Sequence, residues 1–566
     1  MQESSRIRRG FAYLGAAALM AGLLAGPAVA KDNPGEGSSN SQEVPLQILA
    51  INDFHGNINT FSSSFGGSGG AQNLATNIRD REAGAENSIV VSAGDLIGAS
   101  PLISALFHDE PTIEAMNLIG LDINGVGNHE FDEGPAELLR MASGGPHPVD
   151  GDIDGDPFLG SDFEFLAANV VVDATGKTLF PAYTVKNYQG VKVAFIGLTL
   201  EGTPSIVTPS GVAGLTFMDE VETINALVPR LQRNNIESFV ILLHEGGFTT
   251  APGNQNNCGA GLQGPVKDIT EALDPAVDLV IAGHTNAEFV CEIDGKWVTM
   301  ADNAGRLFTD IDVTLNRVTK DMTVHSIENV NNLQSVDDAP DLVELIDKYA
   351  TLVAPLANAV IGEITADISR TPNESGASAL GDVIADAQLS ATSGSATGNA
   401  VVAFMNPGGI RDDLIFDEVS GTEAEGQVTY GEAFNVQPFG NSLVTMTLSG
   451  TQIDTLLEQQ FNNPNPGERR MLQVSTGFSY QWSASAPVGA KVDIASITIE
   501  GTPIDPNANY RVTVNSFLAD GGDNFFVLAQ GTDRLGGEVD LDALVTYFGL
   551  NSPVAPGPQD RYSMVP

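Results

Sequence analysis

Five apolar segments of the chain each end in residues able to hold a metal ion. Ile48–Ile51 runs into Asn52-Asp53-Phe54-His55, Ile89–Val91 into Gly94-Asp95, and Ile123–Val126 into Gly127-Asn128-His129-Glu130-Phe131-Asp132. Val240–Leu243 runs into His244-Glu245, and Leu279–Ile281 into Gly283-His284-Thr285-Asn286. Asp53, His55, Asp95, Asn128, His244, His284 and Asn286 thus make a donor set of oxygen and nitrogen without sulfur. Such a set suits zinc, manganese, iron or cobalt. Asp95, alone at its strand end, is the natural bridge between two ions. Two divalent ions about 3.5–4 Å apart clamp a phosphoryl group and lower the pKa of a bound water to about 7. His129 is not needed as a ligand; it can steady phosphate charge or assist a leaving oxygen, with Asp132 orienting its ring. Any one of these histidines alone is more often structural, and the repetition at five strand ends argues otherwise.

Donors just past the C-terminal ends of strands lie where open α/β sheets place their sites. Between these strands the sequence predicts helices at Ala71–Arg81, Thr112–Ile119 and Val221–Arg233, so residues 44–335 read as one α/β domain. Leu342, Leu345, Ile346, Tyr349, Val353 and Leu356 recur at helical spacing with Asp341 in the first turn, predicting a linker helix within 336–360. A second α/β domain follows over 361–556, with a short tail at 557–566. Its signals are a helix at Ala377–Leu389, strands at Val401–Met405, Ile494–Ile499 and Tyr510–Asn515, and a strand-turn-helix at Leu443–Gln460. Phe61–Gly70 is a Ser/Gly tract beside the first donor strand. The stretch Asp150-Gly-Asp152-Ile-Asp154-Gly-Asp156 resembles the start of a calcium loop. Its twelfth position is Ser161 rather than Glu, which favours a solvated acidic insertion over a calcium site.

At 566 residues the chain exceeds a single core. Its net charge is −46; residues 1–30 contribute +2, from three arginines against one glutamate, which leaves −48 on the rest. That surface repels nucleic acid and anionic membrane, so an anionic small substrate must be drawn in by specific cations. Arg6, Arg8 and Arg9 precede a mostly apolar run from Phe11 to Val29, and Ala28-Val29-Ala30 fits a cleavage site, so residues 1–30 read as a signal peptide. Arg8-Arg9-Gly10-Phe11 also fits the twin-arginine route. Residues 31–43 form a polar leader. No other segment approaches the roughly 18 apolar residues that span a bilayer, so no stable membrane anchor is expected and the protein is placed outside the cytoplasm. Cys258 and Cys291, the only cysteines, are a candidate disulfide around His284, with a free buried pair as the alternative.

Asp53-Phe54-His55, Gly94-Asp95, Gly127–Asp132, His244-Glu245-Gly246 and Gly283–Asn286 resemble the calcineurin-like metallophosphoesterases, and within them the secreted 5′-nucleotidase / UDP-sugar hydrolase family. The resemblance runs from about Leu46 to Leu550. It implies an α/β (α+β) fold: an N-terminal four-layer αββα metallophosphoesterase domain joined by the linker helix to a C-terminal α/β 5′-nucleotidase domain. It assigns Asp53, His55, Asp95 and Asn286 to one divalent ion, and Asp95, Asn128, His244 and His284 to the other. His129 and Asp132 become the catalytic dyad.

The same resemblance gives the second domain the nucleotide. Phe439 and Phe517, which would otherwise read as core, become the rings that hold the base, and Asp523 the partner of the ribose hydroxyls. Arg411 takes phosphate and Asn406 the base or sugar edge. Pro407 stands where the family usually has glycine, and Arg370 is only a loose counterpart of a further phosphate-binding arginine. A site divided between domains implies that substrate binding closes one onto the other. The expected activity is release of phosphate from nucleotides, 5′-mononucleotides first, with UDP-sugars and nucleoside di- or triphosphates in range. The alternatives are a 2′,3′-cyclic-nucleotide phosphodiesterase with 3′-nucleotidase activity, and a non-catalytic nucleotide-binding surface protein.

Overall fold

The computed structural model describes residues 42–59, 67–207, 211–249, 255–421 and 423–566. The expected signal peptide, the leader up to residue 41 and most of the Ser/Gly tract lie outside the described residues.

The first domain is built from two six-stranded sheets face to face. One has the strand order Met322–Asn331, Leu307–Asn316, Glu43–Ile51, Ser88–Ser92, Ile123–Gly125, Glu164–Leu166. The other runs Glu288–Ile293, Lys296–Ala301, Leu279–Ala282, Ser238–His244, Val191–Thr199, Tyr183–Tyr188. Alternation along Glu43–Ile51 shows how the layers arise. Val44, Leu46, Ile48 and Ala50 point into the core shared with Val193, Phe195, Val240, Leu242, Leu279 and Ile281 of the opposite sheet. Leu49 and Ile51 point outward, onto helices Ala71–Gly84, Glu110–Ile119 and Pro135–Ser143. The second sheet does the same, with Phe239, Ile241 and Leu243 packed on helices Glu220–Gln232 and Pro265–Ala272. Both faces of these central strands are therefore buried, which is why the strands are apolar without a break. The result is helix, sheet, sheet, helix.

The donor-bearing strands are parallel within each sheet. Ile51 pairs with Ser92 and Ser92 with Asn124 in the first; Leu243 pairs with Ala282 in the second. Their C-terminal ends consequently open on one side of the sandwich. The disulfide Cys258–Cys291 forms, tying the loop after Ser238–His244 to the edge strand Glu288–Ile293.

Helix Pro340–Ala357 buries Leu342, Tyr349 and Val353 in the outer core of the first domain, and Tyr430 and Phe434 of the second domain pack against that same core. The second domain centres on a five-stranded sheet of order Gln473–Val474, Val402–Met405, Asn509–Asn515, Ser442–Ser449, Thr532–Val539. Ser449 caps helix Gly450–Glu458 by a capping box with Gln452, which makes the turn after its strand so abrupt. The strand expected over Ile494–Ile499 is a correction. The Asp493 side chain accepts the N–H of Ala495, curling Ile494–Ser496 into a 3-10 turn and leaving only Thr498–Ile499 extended.

Candidate active site

The seven expected metal-binding residues come from both sheets and lie at their shared open end. Asp53, Asp95 and His244 are at most 1 % exposed, and His55 and Asn128 are also buried. Asp95 is central: its Oδ2 lies 3.0 Å from His244 Nε2 and 3.8 Å from His55 Nε2. His55, Asp95 and His129 form one group of converging donor atoms, and Asp95, His244 and His284 a second. Asn128 Oδ1 sits 3.1 Å from His244 Nε2 and 2.9 Å from His284 Nδ1. The carboxylate of Asp53 accepts the N–H of His284.

The surroundings aim these donors. His55 Nδ1–H donates to the carbonyl of Gly98 and His244 Nδ1–H to that of Ala93, which turns both Nε2 atoms toward a ligand. Glu130 accepts the backbone N–H groups of Asp95, Leu96 and Gly127, clamping two donor loops together. Asp53, His55, Asp95, His284 and Asn286 all have positive φ, between 48° and 76°. Such a conformation costs a non-glycine residue roughly 1–3 kcal/mol and persists where function overrides local preference. Gly127 is obligatory for another reason: a Cβ there would lie 2.2 Å from Asp95 Oδ1.

Burial governs the charges. It raises Asp53 to about 7, with Asp95 adding and His244 opposing. It lowers His55 and His284 to about 3. Burial would also lower His244, but the Asp95 carboxylate outweighs it and holds the imidazole at about 10. Asp95 is held well below the usual carboxylate range by His244 and His129, against its own burial. Asn286 Oδ1 is buried without a hydrogen-bond partner. A cluster of imidazoles and carboxylates, free of sulfur, fits divalent cations.

Beside this centre His129 Nδ1 donates to Asp132 Oδ2 at 2.8 Å. Burial opposes protonation of His129, yet Asp132 and Asp95 raise its pKa. A cavity of about 200 Å³ opens here, lined from the first domain by Asn128, His129, Asp132 and His284, and from the second by Asn406, Arg411, Phe439, Phe517 and Asp523. Arg411 stands 5.8 Å over the Phe439 ring, within the field of Asp95, Asp132 and Asp53. Asn406 Nδ2 donates to Asp523 Oδ2 at 2.8 Å. Gly522 lies under the Phe517 ring, where a Cβ would come within 2.5 Å of it.

Arg370 does not line the cavity; its backbone N–H donates to Asp413 and its guanidinium to the carbonyl of Ile410. The cavity receives Arg470 instead, which pairs with Asp523. The adjacent Arg469-Arg470 in so acidic a chain was the signal for it. In the acidic loop Asp154 accepts from Lys348 Nζ and from the Tyr349 hydroxyl, while Asp150 faces His108 and His147, so the loop carboxylates serve different partners.

A family model for the calcineurin-like phosphoesterases matches residues 46–288, and one for the 5′-nucleotidase C-terminal domain matches 360–530. The chain is 32% identical to the endonuclease YhcR of Bacillus subtilis over 91% of its own length, but spans only 40% of that protein. It is 33% identical to the cell wall protein Lmo0130 of Listeria monocytogenes, over 89% of this chain and 67% of that protein. The crystal structure of a 5′-nucleotidase precursor from Thermus thermophilus superposes with a TM-score of 0.75 at 25% identity, covering 92% of this chain and 99% of that one. With its two facing sheets, its second domain and these matches, the chain belongs to the calcineurin-like phosphoesterases that carry a 5′-nucleotidase C-terminal domain.

Proposed function

We propose that this protein is an exported phosphohydrolase that releases phosphate from nucleotides, 5′-mononucleotides foremost. One observation carries the reading: donors for divalent ions and residues suited to a nucleotide line a single cavity, although they come from different domains. Asp53, His55, Asp95 and Asn286 would hold one ion, of zinc, manganese or a similar metal, and Asp95, Asn128, His244 and His284 a second. When bound, such ions supply Lewis acidity toward a phosphoryl oxygen and acidify water.

The chain's own residues do the rest. Asp132 fixes the His129 tautomer with Nδ1–H inward, leaving Nε2 to donate to the leaving oxygen. Asp132 and Asp95 raise the pKa of His129 against its burial, which favours the protonated ring for that task. Arg411, half-buried near Arg370 and within the field of Asp95, Asp132 and Asp53, meets the phosphate and offsets its charge. Phe439 and Phe517 offer π-faces to the base, a contact that tolerates any base. Asn406 and Asp523 address the ribose. Export is supported by the leader sequence. Among the described residues no helix is long and apolar enough to cross a membrane.

Phosphate release from AMP, UDP-glucose and 2′,3′-cyclic AMP tests this. Release from AMP should be fastest, vanish with chelator and return with added divalent ions. A metal-loaded protein that leaves all three intact would overturn the reading; preference for the cyclic substrate would move it to the phosphodiesterase alternative.

A further inference from the structure

A second cluster of metal-type donors lies outside the centre built around Asp95. His108 sits in the turn between helices Leu102–Ala105 and Glu110–Ile119, Glu133 just before Pro135–Ser143, Glu137 in its first turn, and His147 in the loop after it. One donor atom from each of the four lies within 4.8 Å of the others. The two imidazole rings stack with centroids 3.7 Å apart and planes 17° from parallel.

Protein groups already engage part of this cluster. His147 Nδ1 accepts the N–H of Asp150, so its lone pair is engaged, yet Asp150 Oδ2 stands 3.3 Å away from the same nitrogen. Both nitrogens of His108 face carboxylates, Glu133 at 2.9 Å and Asp150 at 3.1 Å. One imidazolium at His108, donating to Glu133 and Asp150, meets those two carboxylates, while His147 accepts the Asp150 N–H at Nδ1 as a neutral ring. Arg140 donates to both oxygens of Glu137 as well as to Glu110 and the carbonyl of Gly145, so Glu137 would share its carboxylate between guanidinium and cation. A cation among the four converging donor atoms takes the place of that proton, because it accepts lone pairs from imidazole and carboxylate together.

We propose that His108, His147, Glu133 and Glu137 form a separate structural site for one divalent transition cation of the zinc or manganese class. Two imidazoles with two carboxylates and no sulfur suit that class, and Asp150 then orients a ring by accepting its remaining N–H. The site borders a cavity of about 110 Å³ whose wall also includes His129, Asp132 and Phe439. A cation there would fix Glu133, the neighbour of Asp132, and pin the acidic loop that follows Pro135–Ser143. Its action on the dyad is one of positioning.

Metal content decides the matter. Full-length protein is stripped with chelator, reloaded with zinc, freed of excess and analysed by inductively coupled plasma mass spectrometry. His147→Gln and His108→Gln should each lower bound zinc by about one equivalent and leave phosphate release within a few-fold of wild type. Unchanged zinc in folded variants would overturn the site. The wild-type protein supplies a check that needs no variant: diethyl pyrocarbonate modification of His108 and His147, read by peptide mass spectrometry, should slow when zinc is added. Equal rates with and without zinc would overturn it as well.

Discussion

The ring of Phe439 lies 5.8 Å from that of His129 and 20° from parallel with it. One belongs to the second domain and the other to the first, so this contact joins the two domains directly at the cavity. Small displacements of the Gln437–Asn441 turn therefore reach the dyad.

Replacing His129 by Ala should cut phosphate release from AMP about 10²- to 10⁴-fold, the usual range for a general acid. Metal content should stay near that of the wild type, because His129, although it converges with His55 and Asp95, is not among the ligands proposed for either ion. Steady-state kinetics beside metal analysis checks this, and near-wild-type turnover would remove His129 from the mechanism.

Phe439→Ala and Phe517→Ala should each raise KM for AMP more than they lower kcat. A base stacked on an aromatic ring is worth about 1–3 kcal/mol, so the expected rise is roughly 5- to 150-fold. An unaltered KM in both variants would return these rings to the core.

Arg470→Ala strips the buried Asp523 carboxylate of its cation. A hydrogen bond to a charged group contributes about 1.5–3 kcal/mol, so KM should rise about 10-fold or more. Arg370→Ala, which vacates no cavity position, should stay within about two-fold, as for surface changes worth about 0.5 kcal/mol. The two variants measured side by side distinguish the arginines.

Asp278 should make stability fall with rising pH. Burial raises its carboxyl from 3.8 to about 8, while its oxygen accepts the N–H of Phe239. Between those values the folded chain keeps a proton that the unfolded chain has released, so this group's stabilisation is present at low pH and lost as pH climbs toward 8. Asp278→Asn keeps a neutral acceptor at every pH. Its Tm relative to wild type should therefore increase steadily from pH 5 to 8; a constant difference would refute the shift.

Reducing the Cys258–Cys291 bond, whose cysteines stand 33 residues apart, should cost about 3–4 kcal/mol of unfolding free energy through loop-closure entropy. Denaturant titration of Cys258→Ser checks it.

Much of the first domain could be read from the chain alone, because burial on both faces leaves unbroken apolar strands and a parallel sheet delivers its polar turns to one end. The elements Ala71–Gly84, Ser238–His244 and Pro340–Ala357 fall within a few residues of their expected bounds for that reason. The seven donors were legible through residue type and repetition. Their apportioning between two sheets and their left-handed backbone were not, since φ at Asp53 or Asn286 is imposed by neighbours far along the chain. Short-range chemistry also misled at Ile494–Ser496, where a single Asp493 hydrogen bond outweighed the strand propensity of isoleucine.

Residue type and motif determined that this chain would gather oxygen and nitrogen donors at strand ends, while the aromatic turns and the arginine expected beside them followed from the family resemblance. Only the tertiary structure decided which arginine enters the cavity, that Asp150 and Asp154 part company, and that His108 and His147 stack. The reason is physical. Strand and helix periodicity acts over neighbouring residues, whereas the partners of Arg470 and His108 lie 53 and 42 positions away, and only the packing of complete layers chooses them.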